Sequence, residues 1–303
     1  MKQEPLVSII MNCYNGEKYL REAIDSVYAQ SHINWEIIFW DNASTDDTKK
    51  IATSYDSRLK YFRADVNTPL GSARNLALKK VTGKYIAFLD TDDAYLPWKL
   101  QKQVEVMESG NYGLLYGGTI IIDKEGKEIK RSKPAYSSGY IVDQLLRRYD
   151  ISMCSVMIAR SVIENNKLGF NESMGYCPDY NLFMKIAAQH PVGVLHDFIV
   201  KYRRSPDSLS RKTFHLVAKE MGQTLDELQA LYPEIVTSCN KAMMEARLKL
   251  NFYDAVNHIN MGDYIAAQSA LRPIIWNQWE YLAMYLTLFL PIPREWILRV
   301  LKR

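Results

Sequence analysis

Two kinds of apolar spacing alternate through the first ninety residues of the chain. Short runs rich in β-branched and aromatic residues, at 6–11, 36–40, 59–62 and 85–89, are separated by stretches whose apolar residues recur every three or four positions. A strand that is apolar on both faces must be covered on both. A helix placed between two such strands returns the chain in the same direction, so the pattern predicts a parallel sheet flanked by helices.

Local signals place the elements. Asn15 is expected to cap a helix carrying Leu20, Ile24 and Val27, with Glu17 in its first turn, and Ser44, Thr45 and Asp46 offer caps for a helix running to Tyr55. A helix after Gly71 carries Leu76 and Val81 and ends near Gly83. A longer strand at 113–122 meets the hairpin signal Asp123-Lys124-Glu125-Gly126 and returns at 128–130, so the sheet becomes mixed. Strands are expected at 152–159 and 192–202 and a helix at 180–188; beyond Phe214 the pattern is helical. These segments divide the chain into an α/β domain, 1–212, and a helical appendage, 213–303. A length of 303 residues accommodates both, and 48% hydrophobic with 24% charged residues excludes a disordered chain.

Four cysteines, Cys13, Cys154, Cys177 and Cys239, lie far apart with no C-x-x-C, which suggests neither a disulfide framework nor a structural zinc site and fits a reducing, cytoplasmic setting. The first apolar run follows Glu4 and reads as a strand rather than a signal peptide. A net charge of +4 is too mild to point to nucleic acid, and none is expected as a partner. The charge is uneven, however: five Lys/Arg stand against one Asp at 201–212, and four Lys/Arg against one Glu at 294–303.

The strongest local feature is Phe88-Leu89-Asp90-Thr91-Asp92-Asp93, three carboxylates at the end of an apolar strand. Ligands of open α/β sheets bind beyond the carboxyl ends of strands. Residues two apart in an extended segment share a side, so Asp90 and Asp92 can face one ligand. Two converged carboxylates call for a cation, and oxygen donors favour Mg²⁺ or Mn²⁺ bridging to a phosphate-bearing substrate. By themselves the same acids also read as a solvated turn in which Asp93 caps the next helix. Asp41 ends the second strand, where a carboxylate can accept from a nucleobase N–H or form an Asx turn. Arg74, in Gly71-Ser72-Ala73-Arg74-Asn75, suits paired phosphate or carbonyl acceptors or a surface ion pair.

Four blocks in register resemble the family 2 glycosyltransferases, nucleotide-diphospho-sugar transferases of the GT-A fold. They are Val7-Ser8-Ile9-Ile10-Met11-Asn12-Cys13-Tyr14-Asn15; the segment around Asp41; Ala73-Arg74-Asn75 with 83–93; and Tyr202-Arg203-Arg204 with Pro206 and Ser208-Leu209-Ser210. The resemblance covers about the first 210 residues. It implies that Asn12, Tyr14 and Asn15 line the nucleotide pocket, that Asp41 contacts the base, and that Arg74 supports the nucleotide or diphosphate. It further implies that Asp90 sits at the ribose and metal-bound waters and that Asp92 ligates Mn²⁺ or Mg²⁺. Asp179 matches the family's catalytic base, with Pro178 replacing the usual Glu, and Ser205 stands where members often place a His, leaving a third protein ligand open.

The resemblance thus implies an inverting, metal-dependent transfer from a nucleoside-diphosphate sugar, UDP-sugar favoured, to a hydroxyl of a glycan or lipid-linked saccharide in surface polysaccharide or glycoconjugate synthesis. Arg203, Arg204 or Arg211 would help stabilise the leaving diphosphate. Two other readings stay open: a sugar nucleotidyltransferase, whose Gly-rich phosphate loop is missing, and a catalytically silent nucleotide-sugar-binding scaffold. In the appendage, Leu225, Leu228, Leu231, Met243, Met244, Leu248 and Phe252 read as packed helix faces. Residues 273–303 carry Trp276, Trp279, Tyr281, Tyr285 and Trp296 among Arg294, Arg299, Lys302 and Arg303. Such interleaving fits a peripheral membrane contact, and an intramolecular or homodimer contact is the alternative.

Overall fold

The structure is a computed structural model that describes residues 4–205, 208–277 and 279–289. It packs as two units, divided between Ser208 and Leu209. The expected positions Pro206, Arg294, Trp296, Arg299, Lys302 and Arg303 lie outside the described residues.

The first unit begins with β1 (Val7–Cys13), α1 (Glu17–Tyr28), β2 (Trp35–Asp41), α2 (Thr48–Ala52), β3 (Leu59–Arg63), α3 (Leu70–Leu78) and β4 (Tyr85–Phe88). Strands β3, β2, β1 and β4 lie side by side and parallel, as the alternating periods predict. Leu20, Ala23, Ile24 and Val27 of α1 pack on Val7, Ile9, Met11, Ile37 and Phe39 of the sheet, all buried. Because the chain moves outward from β1 to β3 and then returns to the other flank of β1 with β4, the order reverses between β1 and β4. A crevice at their carboxyl ends is the place such a sheet offers a ligand. Gly83 permits the return: a Cβ there would stand 2.6 Å from the Leu6 carbonyl oxygen and 2.7 Å from the Ser8 nitrogen.

Beyond β4 come β5 (Ala94–Tyr95), α4 (Lys99–Ser109), β6 (Leu114–Ile122), β7 (Glu128–Ser132), α5 (Val142–Arg147), β8 (Met157–Ala159), α6 (Arg160–Asn165), α7 (Pro178–Gln189) and β9 (Val192–Arg203). Strand β8 is antiparallel between β4 and β6, β9 runs parallel to β6, and β5 and β7 close the edges antiparallel, so the sheet is mixed as expected. The expected strand at 152–159 is shorter, because 153–155 form a 3-10 turn.

The caps also differ from expectation. Asn15 adopts φ 52° and Gly16 takes the cap position of α1 without any side-chain cap of its own. The loop after β2 supplies the missing acceptors: Thr48 Oγ1 takes the Gly16 N–H at 3.1 Å and Asp46 Oδ2 takes that of Glu17 at 3.0 Å. Glu17 reciprocates by accepting from the Asp47 N–H. Of Ser44, Thr45 and Asp46, only Asp46 serves α2, accepting from the Thr48 N–H, and that helix ends at Ala52 rather than Tyr55.

The second unit is helical: α8 (Leu209–Lys212), α9 (Val217–Leu231), α10 (Pro233–Ser238), α11 (Asn240–Met261), α12 (Tyr264–Leu271) and α13 (Trp279–Thr287). Its core joins Ala255, Val256 and Ile259 of α11 to Ala267, Leu271, Ile274, Met284 and Leu288. Gly262 ends α11 at φ 80°, and Asp263 caps α12 by accepting from the Ala266 N–H. Leu225, Leu228 and Met243 are buried, whereas Leu231 and Met244 are exposed.

Candidate active site

At the carboxyl end of β4 the backbone turns sharply, the Asp93 N–H returning to the Asp90 carbonyl at 3.1 Å. The segment is therefore a turn, not the extended run that would align Asp90 and Asp92 by alternation. The two acids still interact across it. Burial and the neighbouring Asp90 charge push the Asp92 carboxyl up to about 6. Asp93 points inward, 1% exposed, and burial, Asp90 and Asp92 raise it well above the usual carboxylate range. Its Oδ1 accepts from the Arg203 backbone N–H at 2.8 Å, tying the turn to β9 rather than capping the next helix.

The Arg203 side chain is occupied within the protein. Nε donates to the Asp92 carbonyl at 2.9 Å, Nη2 to Glu22 Oε2 at 2.6 Å and Nη1 to the Asp123 carbonyl at 3.3 Å, while the guanidinium lies over the Tyr19 ring. The side chain is only 2% exposed, so its place is beneath the acidic turn. Arg204 is exposed.

Asp41 is fully buried at the end of β2. Its Oδ2 accepts from the Tyr61 hydroxyl at 2.5 Å and from Arg63 Nη1 at 2.6 Å, and its Oδ1 from the Ser44 N–H at 2.7 Å. Burial alone would raise this carboxyl, but the bonds from Tyr61 and Ser44 and the Arg63 charge outweigh it and hold the group ionised below its ordinary value. Oδ1 keeps acceptor capacity, since an ionised carboxylate offers about four lone-pair sites. On the adjacent β1, Cys13 is the residue in register with Asp41, and Asn12, in register with Trp40, has its Nδ2 buried without a hydrogen-bond partner. Tyr14 is exposed, and Asn15 Oδ1 is spent on the Thr45 N–H at 2.8 Å.

Arg74, on α3, is nearly buried, with Nη2 3.8 Å from Asp90 Oδ1 and the guanidinium 5.4 Å from the Phe170 ring centroid. Pro178 opens α7 and places Asp179 in its first turn. Burial raises the Asp179 carboxyl; the Arg74 charge opposes this and the Asp90 charge adds to it. Asp90, Asp92, Arg74 and Asp179 are thus one electrostatic group, assembled from three segments. Asn12 and Asp41 stand on the two strands beside it, at the same edge of the sheet. Tyr61, Arg63 and Glu22 complete the surroundings without a sequence signal of their own, because each acts through a partner remote in the chain.

Asp90 and Asp92 offer hard oxygen donors whose mutual repulsion a divalent cation would relieve. No cluster of three or more ligating side chains is present among the described residues. Two carboxylates suit Mg²⁺ or Mn²⁺, which commonly keep waters and take further oxygens from substrate phosphates.

The sheet thus carries paired acids at its switch point after β4 and an ionised carboxylate at the end of β2, with β1 between them. Residues 8–166 match glycosyl transferase family 2. The chain is 33% identical over 229 residues to UDP-Glc:alpha-D-GlcNAc-diphosphoundecaprenol beta-1,3-glucosyltransferase WfgD of Escherichia coli, covering 74% of this chain and 85% of that one. It is 34% identical over 218 residues to an uncharacterized glycosyltransferase of Rickettsia felis, covering 69% of this chain but spanning only 36% of that relative's length. Among solved structures, mannosyltransferase PcManGT from Pyrobaculum calidifontis, in complex with GDP-Man and Mn²⁺, superposes with a TM-score of 0.64 at 18% identity, over 99% of this chain and 85% of that one. S. aureus TarS 1-349 in complex with UDP-GlcNAc gives a TM-score of 0.61 at 16% identity, over 90% and 92%. This chain belongs to glycosyl transferase family 2, and its first unit has the GT-A fold.

Proposed function

We propose that the chain is an inverting glycosyltransferase that moves a sugar from a nucleoside diphosphate, UDP-sugars favoured, to a hydroxyl of a glycan or lipid-linked saccharide. The observation that carries this reading is the position of Arg74, whose charge acts on both Asp90 and Asp179. Donor-side acids and the acceptor-side base therefore share one neighbourhood.

Each residue has a task in that reading. Asp41, held ionised by Tyr61, Ser44 and Arg63, accepts from the imide N–H of uracil through Oδ1, and the unpartnered Asn12 Nδ2, near the end of β1, is a further donor at the same edge of the sheet. Asp90 and Asp92 would hold the divalent ion. When bound, that ion supplies Lewis-acid stabilisation of the departing diphosphate. Arg204, exposed after β9, is available to the same oxygens, whereas Arg203 holds the acidic turn in place. Asp179 takes the proton from the acceptor hydroxyl as the new bond forms, and burial, by raising its carboxyl, makes it a better base than a solvated aspartate. A base acting opposite the leaving group inverts the anomeric centre. The names of the Escherichia coli relative and of the TarS complex favour a UDP-sugar, and that of the PcManGT complex favours a metal-assisted site.

Release of nucleoside diphosphate, measured across a panel of sugar nucleotides with and without Mn²⁺, tests the reading. Asp179→Asn should abolish turnover while donor binding survives, and Asp92→Ala should abolish the Mn²⁺ response. A flat panel, or full activity of Asp179→Asn, refutes it.

The second unit supports a role at the membrane surface. Trp276, Trp279, Leu286 and Phe289 stand exposed. No helix among the described residues is long and apolar enough to cross a bilayer. Aromatic side chains at an interface, with the Lys and Arg residues that the sequence carries at 294–303, would bring the enzyme to a lipid-linked acceptor.

A further inference from the structure

Close to Asp179 one polar group has no hydrogen-bond partner among the described residues. Tyr149 lies just beyond α5, and its hydroxyl oxygen is buried and unbonded. Its ring meets that of Tyr180, the neighbour of Asp179, edge-on at 4.8 Å between centroids. Burial raises the phenol pKa well above its usual value, and Asp179 is the first of the surrounding charges that add to this, ahead of Tyr180, Cys177 and Asp150.

The ring is held rather than loose. On one side the Tyr136 hydroxyl donates to the Arg148 carbonyl at 2.8 Å. On the other, Asp150 accepts from the Tyr116 hydroxyl at 2.9 Å and from the Ala135 N–H at 2.8 Å. A buried hydroxyl without a partner costs folding stability, and phenylalanine would fill the same space without that cost. Such a group calls for a use in another state of the protein. Catalytic hydrogen bonds are often long in an enzyme without substrate and tighten only when the site is loaded.

We propose that Tyr149 is a positioning residue whose hydroxyl donates to the Asp179 carboxylate once donor and acceptor are bound, orienting it toward the hydroxyl it deprotonates. The proposal rests on the reading of Asp179 as the base. Arg74 on α3 and Asp90 after β4 are the charges that face that carboxylate from the other elements. Neither supplies the neutral, rigid donor that an aromatic hydroxyl provides.

Tyr149→Phe in the full chain tests this. Because the hydroxyl is unbonded in the free protein, the variant should melt no lower than wild type, a result that needs no turnover. With UDP-sugar and Mn²⁺, kcat for nucleotide release should fall about tenfold while KM for the donor is unchanged, the loss of one hydrogen bond to a charged group. A lowered melting temperature overturns the proposal, since the hydroxyl would then have a structural partner. Wild-type kcat in Tyr149→Phe overturns it as well. Asp179→Asn run alongside separates the two readings: if that variant keeps turnover, the base assignment fails, and if it is dead while Tyr149→Phe is fully active, only the role of Tyr149 fails.

Discussion

Replacing Arg203 by lysine should expose what holds the acidic turn. In the native chain three guanidinium donors serve the Asp92 carbonyl, Glu22 and the Asp123 carbonyl from a site that is 2% exposed. A lysine brings one compact ammonium in place of a planar fork and can satisfy only one of these partners well. The 3.3 Å bond to Asp123 is long and counts for little. Glu22 is half exposed and recovers water when released, so its share is discounted. What remains is chiefly one bond from a charged donor to a half-buried carbonyl, about 1.5–3 kcal/mol. For a unit of this size that corresponds to a fall in Tm of roughly 3–12 °C. Asp92 would then lose its tether, so the Mn²⁺ concentration for half-maximal nucleotide release, or for half-maximal thermal stabilisation, should rise. A diphosphate ligand would behave differently: Arg203→Lys would raise donor KM and leave Tm where it was. Unchanged Tm and unchanged Mn²⁺ dependence would refute the tether.

Further outcomes follow from the same geometry. A base raised by burial predicts that turnover rises with pH through an acid limb lying above the ordinary aspartate range. Because the Arg74 charge opposes that rise, Arg74→Gln should move the limb to higher pH, and a limb that stays put removes Arg74 from the base's surroundings. Glu36, 4% exposed, accepts from Ser8 and Lys60 at 2.5 Å and from the Thr82 hydroxyl and N–H at 2.7 and 3.1 Å. Glu36→Ala should therefore cost about 2–3 kcal/mol in urea unfolding at neutral pH. Burial alone would raise the Glu36 carboxyl, but the bonds from Lys60, Ser8 and Thr82 prevail and lower it. This stability is thus present above the unfolded-state pKa and lost as pH falls through the folded one, and a mutant deficit that persists undiminished in acid contradicts it. Trp276→Ser with Trp279→Ser should reduce co-sedimentation with vesicles containing anionic lipid, and equal sedimentation of wild type and variant would leave these side chains to an intramolecular or dimer contact.

Much of the fold was legible because its signals are local. The runs at 6–11, 36–40, 59–62 and 85–89 needed only their own composition to read as buried strands. Helix α4 carries Leu100, Val104 and Met107 on its buried face, a spacing that was available in the sequence but formed no part of the βαβ expectation. Capping was misread at Asn15 because the acceptors for α1 come from the loop after β2, 29 to 32 residues away, which no local window contains. Asp90 and Asp92 were legible as a pair for the wrong geometric reason, since a turn and not an extended segment brings them near each other.

By itself the sequence determined the layered α/β architecture, the order of its first elements from β1 to β4 and the residue types at the carboxyl edge of the sheet, because periodicity and turn chemistry act over a few residues. Tertiary structure decided what those residues do. Arg203 reaches Asp92 across 111 residues and Glu22 across 181, and that convergence makes it a tether beneath the acids. Arg74 became the link between Asp90 and Asp179, and Tyr149 was left with an unbonded hydroxyl near Asp179, only when α3, α7 and the chain after α5 met at one edge of the sheet. A side chain's role depends on its partners and its water, and both are set by folding at distances along the chain that no motif spans.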